Sequence, residues 1–355
     1  MLPPLYAGWL DELLAAPIPA EIEATCGDCA MRPGAGDRQT DDGYFFHPEI
    51  KCCTYVPELP NFLVGRILGD EDAALADGRA TVAERLRAGV AVTPRGLDRH
   101  PTHTLLYKNS IMAFGRSRTL RCPHYHAGEG GRCAIWRHRG ATCATWFCKH
   151  VRGAVGRSFW QSLHQLLRAI DGGLARWCLL ELGVDAGALR RLFPAGEYPK
   201  ATGPIAASDI DGVVDAARYQ GAWESWAGRE REFFAGCARL VAGLSWDDVI
   251  AICGPEVRIF AHLTREAYAK LVTIEIPPAL RVGAFEIVQM GAKSCRVCSY
   301  SSFDPLDLPF ALFDALRHFD GRPTDAALRA IAAAEGIELD ASLVRKLVDF
   351  GILTP

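Results

Sequence analysis

The sequence predicts a mainly α protein with small β elements, in three parts: a loop-rich cysteine domain (1–157), a helical middle region (158–280) and a C-terminal module of short helices (281–355). Three observations predict it. Cysteine, glycine, proline and histidine crowd the first part. Apolar residues at helical spacing dominate the second, and helix start and stop signals recur through the third.

The elements follow in chain order. Leu59 to Leu68 and Thr81 to Ala88 read as short helices, and Thr104 to Leu120 alternates like strand with a turn near Gly115. Ser158-Phe-Trp-Gln161 has the capping-box pattern and predicts a helix starting there, with Trp160, Leu163, Leu166 and Leu167 on its apolar face. Tyr219, Trp223 and Trp226, then Phe233, Phe234, Cys237, Leu240 and Val241, continue that period as an aromatic stripe expected in the core. Pro194 and the stretch 199–208 read as a linker between helical hairpins. Val282 to Met290 reads as a strand, and Leu308 to His318 as a helix ending at Asp320-Gly321. A second helix takes Thr324 as N-cap, and a third runs from near Asp340 to Gly351, where glycine suits a left-handed cap. Three short helices followed by Ile352-Leu353 predict a winged-helix-like module.

The chain has 355 residues, 49% of them apolar, enough for a sizeable core, and its net charge of −3 gives no global pull toward nucleic acid or membrane. The opening Met1-Leu-Pro-Pro-Leu-Tyr6 lacks a basic region followed by an apolar one. No uncharged apolar run reaches the roughly 20 residues of a membrane span. The expectation is a cytoplasmic protein with no membrane partner.

Thirteen cysteines are many for a reducing compartment, where clustered cysteines serve as ligands or reactive groups more often than as disulfides. Eight lie between Cys26 and Cys148: Cys26, Cys29, Cys52, Cys53, Cys122, Cys133, Cys143 and Cys148. Thiolates are soft ligands suited to zinc, iron–sulfur clusters or copper(I). Cys26-Gly-Asp-Cys29 has the spacing to turn back on one ion, whereas the side chains of adjacent Cys52 and Cys53 diverge in a relaxed strand. Neither group fits two-knuckle zinc spacing or the ferredoxin runs, so the residues point to a metal centre without choosing the metal. A purely structural metal knot is the plainer alternative. Cys178, Cys237 and Cys253 sit in apolar helical patterns and are expected to be buried as small hydrophobes. Cys295 and Cys298 do not complete a site by themselves and are expected to remain a reduced pair, as cellular thiol buffers keep such pairs; a labile disulfide or ligands donated to the main site are the alternatives.

Cys26-x-x-Cys29, Phe46-His-Pro-Glu-Ile-Lys-Cys52-Cys53, Cys122-Pro123, Gly131-Arg-Cys133-Ala-Ile-Trp136 and Ala141-Thr-Cys143, in that order, resemble the CxxCxxCC family. That family is described as a zinc- or iron-chelating domain and includes flagellin lysine N-methylases. The resemblance covers residues 22–155. The family shows Gly-Arg-Cys-x-Ile-aromatic followed by Arg-Pro-x-x-Cys-Arg; here Arg139-Gly140-Ala-Thr-Cys143 lacks the proline and the trailing arginine, and 22 residues separate Cys29 from Cys52. The resemblance implies an iron–sulfur cluster of the four-iron type on the eight cysteines, with zinc as the alternative. Phe319-Asp-Gly-Arg-Pro-Thr324 and Leu347-Val-Asp-Phe-Gly-Ile-Leu353 are similar to winged-helix modules of the pyrroloquinoline-quinone chaperone type, which implies a protein or peptide partner.

From Arg95 to Arg157 there are twelve Lys and Arg against two acids, so a basic shell surrounds the later cysteines. Such a shell offsets the negative charge of a thiolate cluster. Alternatively, Arg116, Arg118, Arg121, Arg137 and Arg139 recruit an anion, or they form a solvated face. His124 and His126 flank Tyr125, would point the same way on a strand, and with Arg116, Arg118 and Arg121 are candidate cofactor-binding residues; His47 also lies close to the early cysteines. Residues 301–355 hold nine acids against five Lys or Arg, which argues against nucleic acid as partner. No Walker loop, G-x-G-x-x-G, G-x-S-x-G or H-E-x-x-H is present. The leading expectation is a metal-cluster enzyme that modifies a protein or peptide. A non-enzymatic chelator or electron carrier and a flagellin-methylase-like, S-adenosylmethionine-dependent lysine methyltransferase are the rivals.

Overall fold

The computed structural model describes residues 2–22, 25–27, 29–32, 45–110, 113–128, 130–194 and 214–355. About 54% of it is helical and every sheet is small and antiparallel, so the class is mainly α with small β elements. The predicted linker at 199–208 lies outside the described residues. The chain forms two compact units, one of residues 1–16, 26–145 and 164–260, the other of 17–25, 146–163 and 261–355.

The first unit is organised by the helices Asn61–Gly69 and Glu230–Val241. Phe62, Leu63, Val64 and Ile67 from one, and Phe233, Phe234, Cys237 and Val241 from the other, are buried. Close approach needs Gly65: a Cβ there would sit 1.9 Å from the Phe234 carbonyl oxygen. Of the aromatic stripe, Trp223, Phe233, Phe234, Cys237 and Val241 are core as expected, with Trp223 edge-on to Phe233 and Phe234 at 5.5 and 5.6 Å, while Tyr219, Trp226 and Leu240 are half-buried. Asn61 is fully buried and braces the unit, its amide donating to the carbonyls of Pro94 and Ala175 at 3.0 Å each. Strand Gly96–Leu97 lies between Leu59–Pro60 and Val92–Thr93. In the N-terminal helix Pro4–Leu13, Trp9 Nε1 donates to the Leu244 carbonyl at 2.9 Å, and the Tyr6 hydroxyl donates to Asp171 at 2.8 Å.

Several local readings change. Thr104 to Leu120 is not strand: Pro101–Asn109 is a helix, with Pro101 at its first turn and the His100 side chain accepting the Thr102 N–H. Pro is pre-organised for that position, and its signal overrides the alternation. The helix expected at Ser158 begins at Gly153 and runs to Glu181. Gly153 takes φ +49° against Phe350, whose ring a Cβ would meet at 2.7 Å, so the glycine that reads as loop is the helix start.

The second unit has its own core, including Leu280, Val297, Leu316, Phe319, Ile331, Val344, Leu347 and Ile352. The expected Val282–Met290 strand is two strands: Ala279–Val282, central between Asp320–Pro323 and Leu353–Thr354, and Glu286–Met290, which opens a meander with Ser294–Cys298 and Leu306–Pro309. Leu308 falls in the last of these strands, and the helix that follows is Phe310–Ala315. Thr324 is the first helical residue rather than the cap; Pro323 holds the cap position, and the Thr324 hydroxyl donates to the Pro277 carbonyl. Asp340 does cap the last helix, accepting the Leu343 N–H at 2.7 Å, and Gly351 takes φ +73°. Among the described residues no helix is long and apolar enough to cross a membrane.

Two stability predictions follow from this packing. Gly65→Ala drives a methyl into the Phe234 backbone and lowers stability by about 1–3 kcal/mol. Gly8→Ala, in the first helix with nothing within 4 Å of the added Cβ, raises it by up to about 1 kcal/mol; urea titration of both variants checks the pair. Burial pushes the Asp171 carboxyl up to about 7, against a usual 3.8. The folded protein therefore keeps that proton up to about pH 7 while the unfolded chain has released it, so raising the pH from 4 to 7 favours unfolding. Asp171→Asn removes this falling limb, and its stability relative to the parent rises with pH across that window. A difference curve that is flat between pH 4 and 7 contradicts the assignment.

Candidate metal centre

Seven of the eight clustered cysteines belong to the first unit, on five stretches of chain. The turn 47–53 presents Cys52 and Cys53: the His47 carbonyl accepts the N–H groups of Ile50 and Lys51, and Lys51 itself takes φ +55°. Cys122 is tied to this turn by its N–H, which donates to the Cys53 carbonyl at 2.6 Å. The two-stranded hairpin that follows pairs Tyr125 with Cys133. Tyr125 lies so close over Gly131 that a Cβ there would meet the phenol oxygen at 1.8 Å, and Gly131 takes φ +79°. Cys143 sits in the short helix Ala141–Thr145.

These thiols form one electrostatic group. Cys52 acts on Cys26, Cys29, Cys53 and Cys143; Cys122 acts on Cys53, Cys133 and Cys143; and Cys26 acts on Cys133. Burial, reinforced by these like charges, pushes Cys26 up to about 11 and raises Cys133 and Cys143 further. Burial alone dominates at Cys122, also pushed up to about 11, and burial raises Cys29. Cys52 and Cys53 are coupled: the Cys53 thiol hydrogen-bonds Cys52 and lowers it, while Cys53 itself is raised.

Backbone N–H groups point at the sulfurs. Met31 donates to Cys29, His124 to Cys122 and Ile135 to Cys133, the same two-residue offset each time, and the Cys133 N–H donates to Cys26. Such donors stabilise thiolate and tune any metal it holds. Two buried cations, Lys51 and Arg139, and the half-buried Arg85 complete the surroundings. Lys51, 2% exposed, donates from Nζ to the carbonyls of Cys26 and Gly131. Arg139 lies 3.6 Å from the Trp136 ring centroid and donates to the Cys143 carbonyl at 2.9 Å. Arg85 interacts with Cys122 and donates to the Asp98 carbonyl.

Besides Arg139, the sequence puts forward Arg116, Arg118 and Arg121. Arg118 is exposed and pairs with Glu49 at 2.6 Å; Arg121 is exposed; Arg116 is half-buried. His124 and His126 do point the same way, but toward the helix Ala76–Ala88: His124 Nδ1 lies 2.9 Å from the Thr81 hydroxyl and His126 Nδ1 lies 3.1 Å from Asp77. Burial and Arg85 push His124 down to about 3, so it is neutral. His47 turns its Nδ1 onto the Glu49 N–H. Cys148 belongs to the second unit, where its carbonyl accepts the Ser301 hydroxyl at 3.2 Å. Cys178 and Cys237 are fully buried and hydrogen-bonded to each other, and Cys253 lies against Gly173. Cys295 is buried in the second core. Lys51 and Arg85 were not singled out: nothing local in the sequence distinguishes them from other basic residues.

Among the described residues, no three His, Cys, Asp or Glu side chains converge on one point where they would hold a single metal ion. The donor set fits a metal by chemistry, being thiols, Cys122 buried and the other six half-buried, with N–H donors and cations around them. Comparison with family models, with curated proteins and with solved structures returned no match.

Lys51 ties the Cys26 segment to the Gly131 loop. Lys51→Met leaves both carbonyls without this donor, so stability falls by about 1–3 kcal/mol. Amide hydrogen exchange over residues 25–32 then speeds relative to the 230–241 helix. Equal exchange in both proteins would remove Lys51 from this role.

Proposed function

We propose that Cys26, Cys29, Cys52, Cys53, Cys122, Cys133 and Cys143 provide the ligands of an iron–sulfur cluster, of the four-iron type, in a protein that modifies a protein or peptide. One observation carries the reading: seven thiols from five stretches of chain, all at least half-buried, share one electrostatic neighbourhood. A single zinc ion draws its four ligands onto one point, whereas each iron of a cluster takes its own thiolate. Thiols that interact as a group without three meeting at a point suit the cluster better. When bound, a cluster would supply one-electron transfer. The chain's own part is to hold the sulfurs as thiolates with backbone N–H donors, to offset their charge with Lys51, Arg85 and Arg139, and to exclude water by burial.

The motif order that resembles the CxxCxxCC family supports the same choice of metal. The second unit supports the partner half of the reading: its short helices and small antiparallel sheets, closing on Leu353–Thr354, suit a winged-helix-like module for a protein or peptide.

Metal analysis of protein purified without oxygen tests this. Iron and acid-labile sulfide are expected, with a brown colour. Cys133→Ser and Cys143→Ser lose most of both, while Cys178→Ser and Cys237→Ser keep them. Stoichiometric zinc without sulfide would instead favour the chelating reading. Binding of S-adenosylmethionine to the iron-loaded protein would favour the methyltransferase.

A further inference from the structure

The first unit holds a cavity of about 610 Å³, within the roughly 300–1,000 Å³ range of small-molecule sites. The long helix makes the room: its small residues Ala169, Gly172 and Ala175 face the space, and a Cβ on Gly172 would touch only the Arg176 side chain. The start of the Ala141–Thr145 helix forms another wall.

The lining carries both signs. Arg95, Arg168 and Arg176 are exposed cations, and Glu58, Asp98 and Glu256 are carboxylates. Some of this charge is already committed: Glu58 pairs with Arg99 at 3.1 Å and reaches Arg168 at 4.0 Å. The rest is not. Among the described residues Arg95 and Arg176 have no ion pair; Arg95 lies against the Phe193 ring and within electrostatic reach of Asp98. Among the described residues the half-buried Asp98 carboxylate accepts no hydrogen bond; Arg85 donates to its backbone carbonyl, and Arg95, Arg85 and Arg99 offset its charge from a distance. Unsatisfied charge of one sign inside a cleft selects its opposite. A ligand with only negative charge would meet Glu58, Asp98 and Glu256. One with only positive charge would meet the three arginines.

We propose that this cavity binds a small zwitterion, the α-amino-acid group of a free amino acid or of a metabolite that carries one. Its carboxylate goes to the unpaired guanidiniums of Arg95 and Arg176, and its ammonium to Asp98. The remaining volume, walled by Leu59, Pro60 and Phe260, takes the rest of the molecule. The proposal does not rest on what the thiols hold.

The test uses the full chain and the common L-amino acids, each with its N-acetyl derivative and its amide, screened by thermal shift and followed by calorimetry. At least one free amino acid is expected to bind, with both blocked forms weaker by roughly tenfold or more. Arg176→Gln and Asp98→Asn each weaken that binding by a similar factor, while Gly172→Leu, which fills the space and keeps every charge, abolishes it. Circular dichroism shows whether each variant is folded. If no free amino acid binds at millimolar concentration, the proposal is wrong. It is equally wrong if a blocked form binds as well as its parent, or if all three folded variants bind like the wild type.

Discussion

A buried thiolate is expensive, and several within mutual reach are more so, because each charge adds to the desolvation penalty of the next. Without a counter-charge the seven thiols of the first unit cannot all ionise near neutral pH, and the raised values at Cys26, Cys122, Cys133 and Cys143 express that. The chain nevertheless brings them together from five stretches, and the surrounding structure serves this burden. Backbone N–H groups face four of the sulfurs. Lys51 and Arg139 are buried beside them and Arg85 half-buried, although burying a cation is itself costly. A metal that takes the sulfurs as thiolates resolves both costs at once.

The scaffold keeps this loop-rich region in place through a few long-range ties rather than through regular structure. Cys122 bonds to Cys53, Lys51 to Cys26 and Gly131, and Tyr125 closes over Gly131. Behind them the Asn61 amide and the Tyr6–Asp171 pair fasten the long helix to the strands and to the N-terminal helix. The same long helix backs the mixed-charge cavity, so one rigid element supports two candidate sites of different chemistry.

Much of this was legible in the sequence, for identifiable reasons. Helical periodicity marked the aromatic stripe and the burial of Cys178 and Cys237, because burial on one helix face is a local pattern. Cysteine clustering marks all seven grouped positions, and Cys148 with them. What was not legible depends on contacts far apart in the chain. Asp171 is bonded to Tyr6 across 165 residues, and nothing near either residue announces it. Arg139 was counted among several basic residues, whereas Arg85 and Lys51 were passed over, since only the fold decides which cation is buried against sulfur. Thr104 to Leu120 alternated like strand, yet Pro101 and the His100 cap made its first half a helix.

The central claim is that the seven thiols share one site and that the other buried cysteines stand apart. Residue-resolved alkylation of the anaerobically purified protein, before and after the metal is stripped at constant pH, measures this directly. The account predicts that Cys26, Cys29, Cys52, Cys53, Cys122, Cys133 and Cys143 gain reactivity together on stripping, while Cys178, Cys237 and Cys295 stay protected until the protein unfolds. If stripping leaves the seven unchanged, or exposes Cys178 and Cys237 instead, the thiols do not form a common centre.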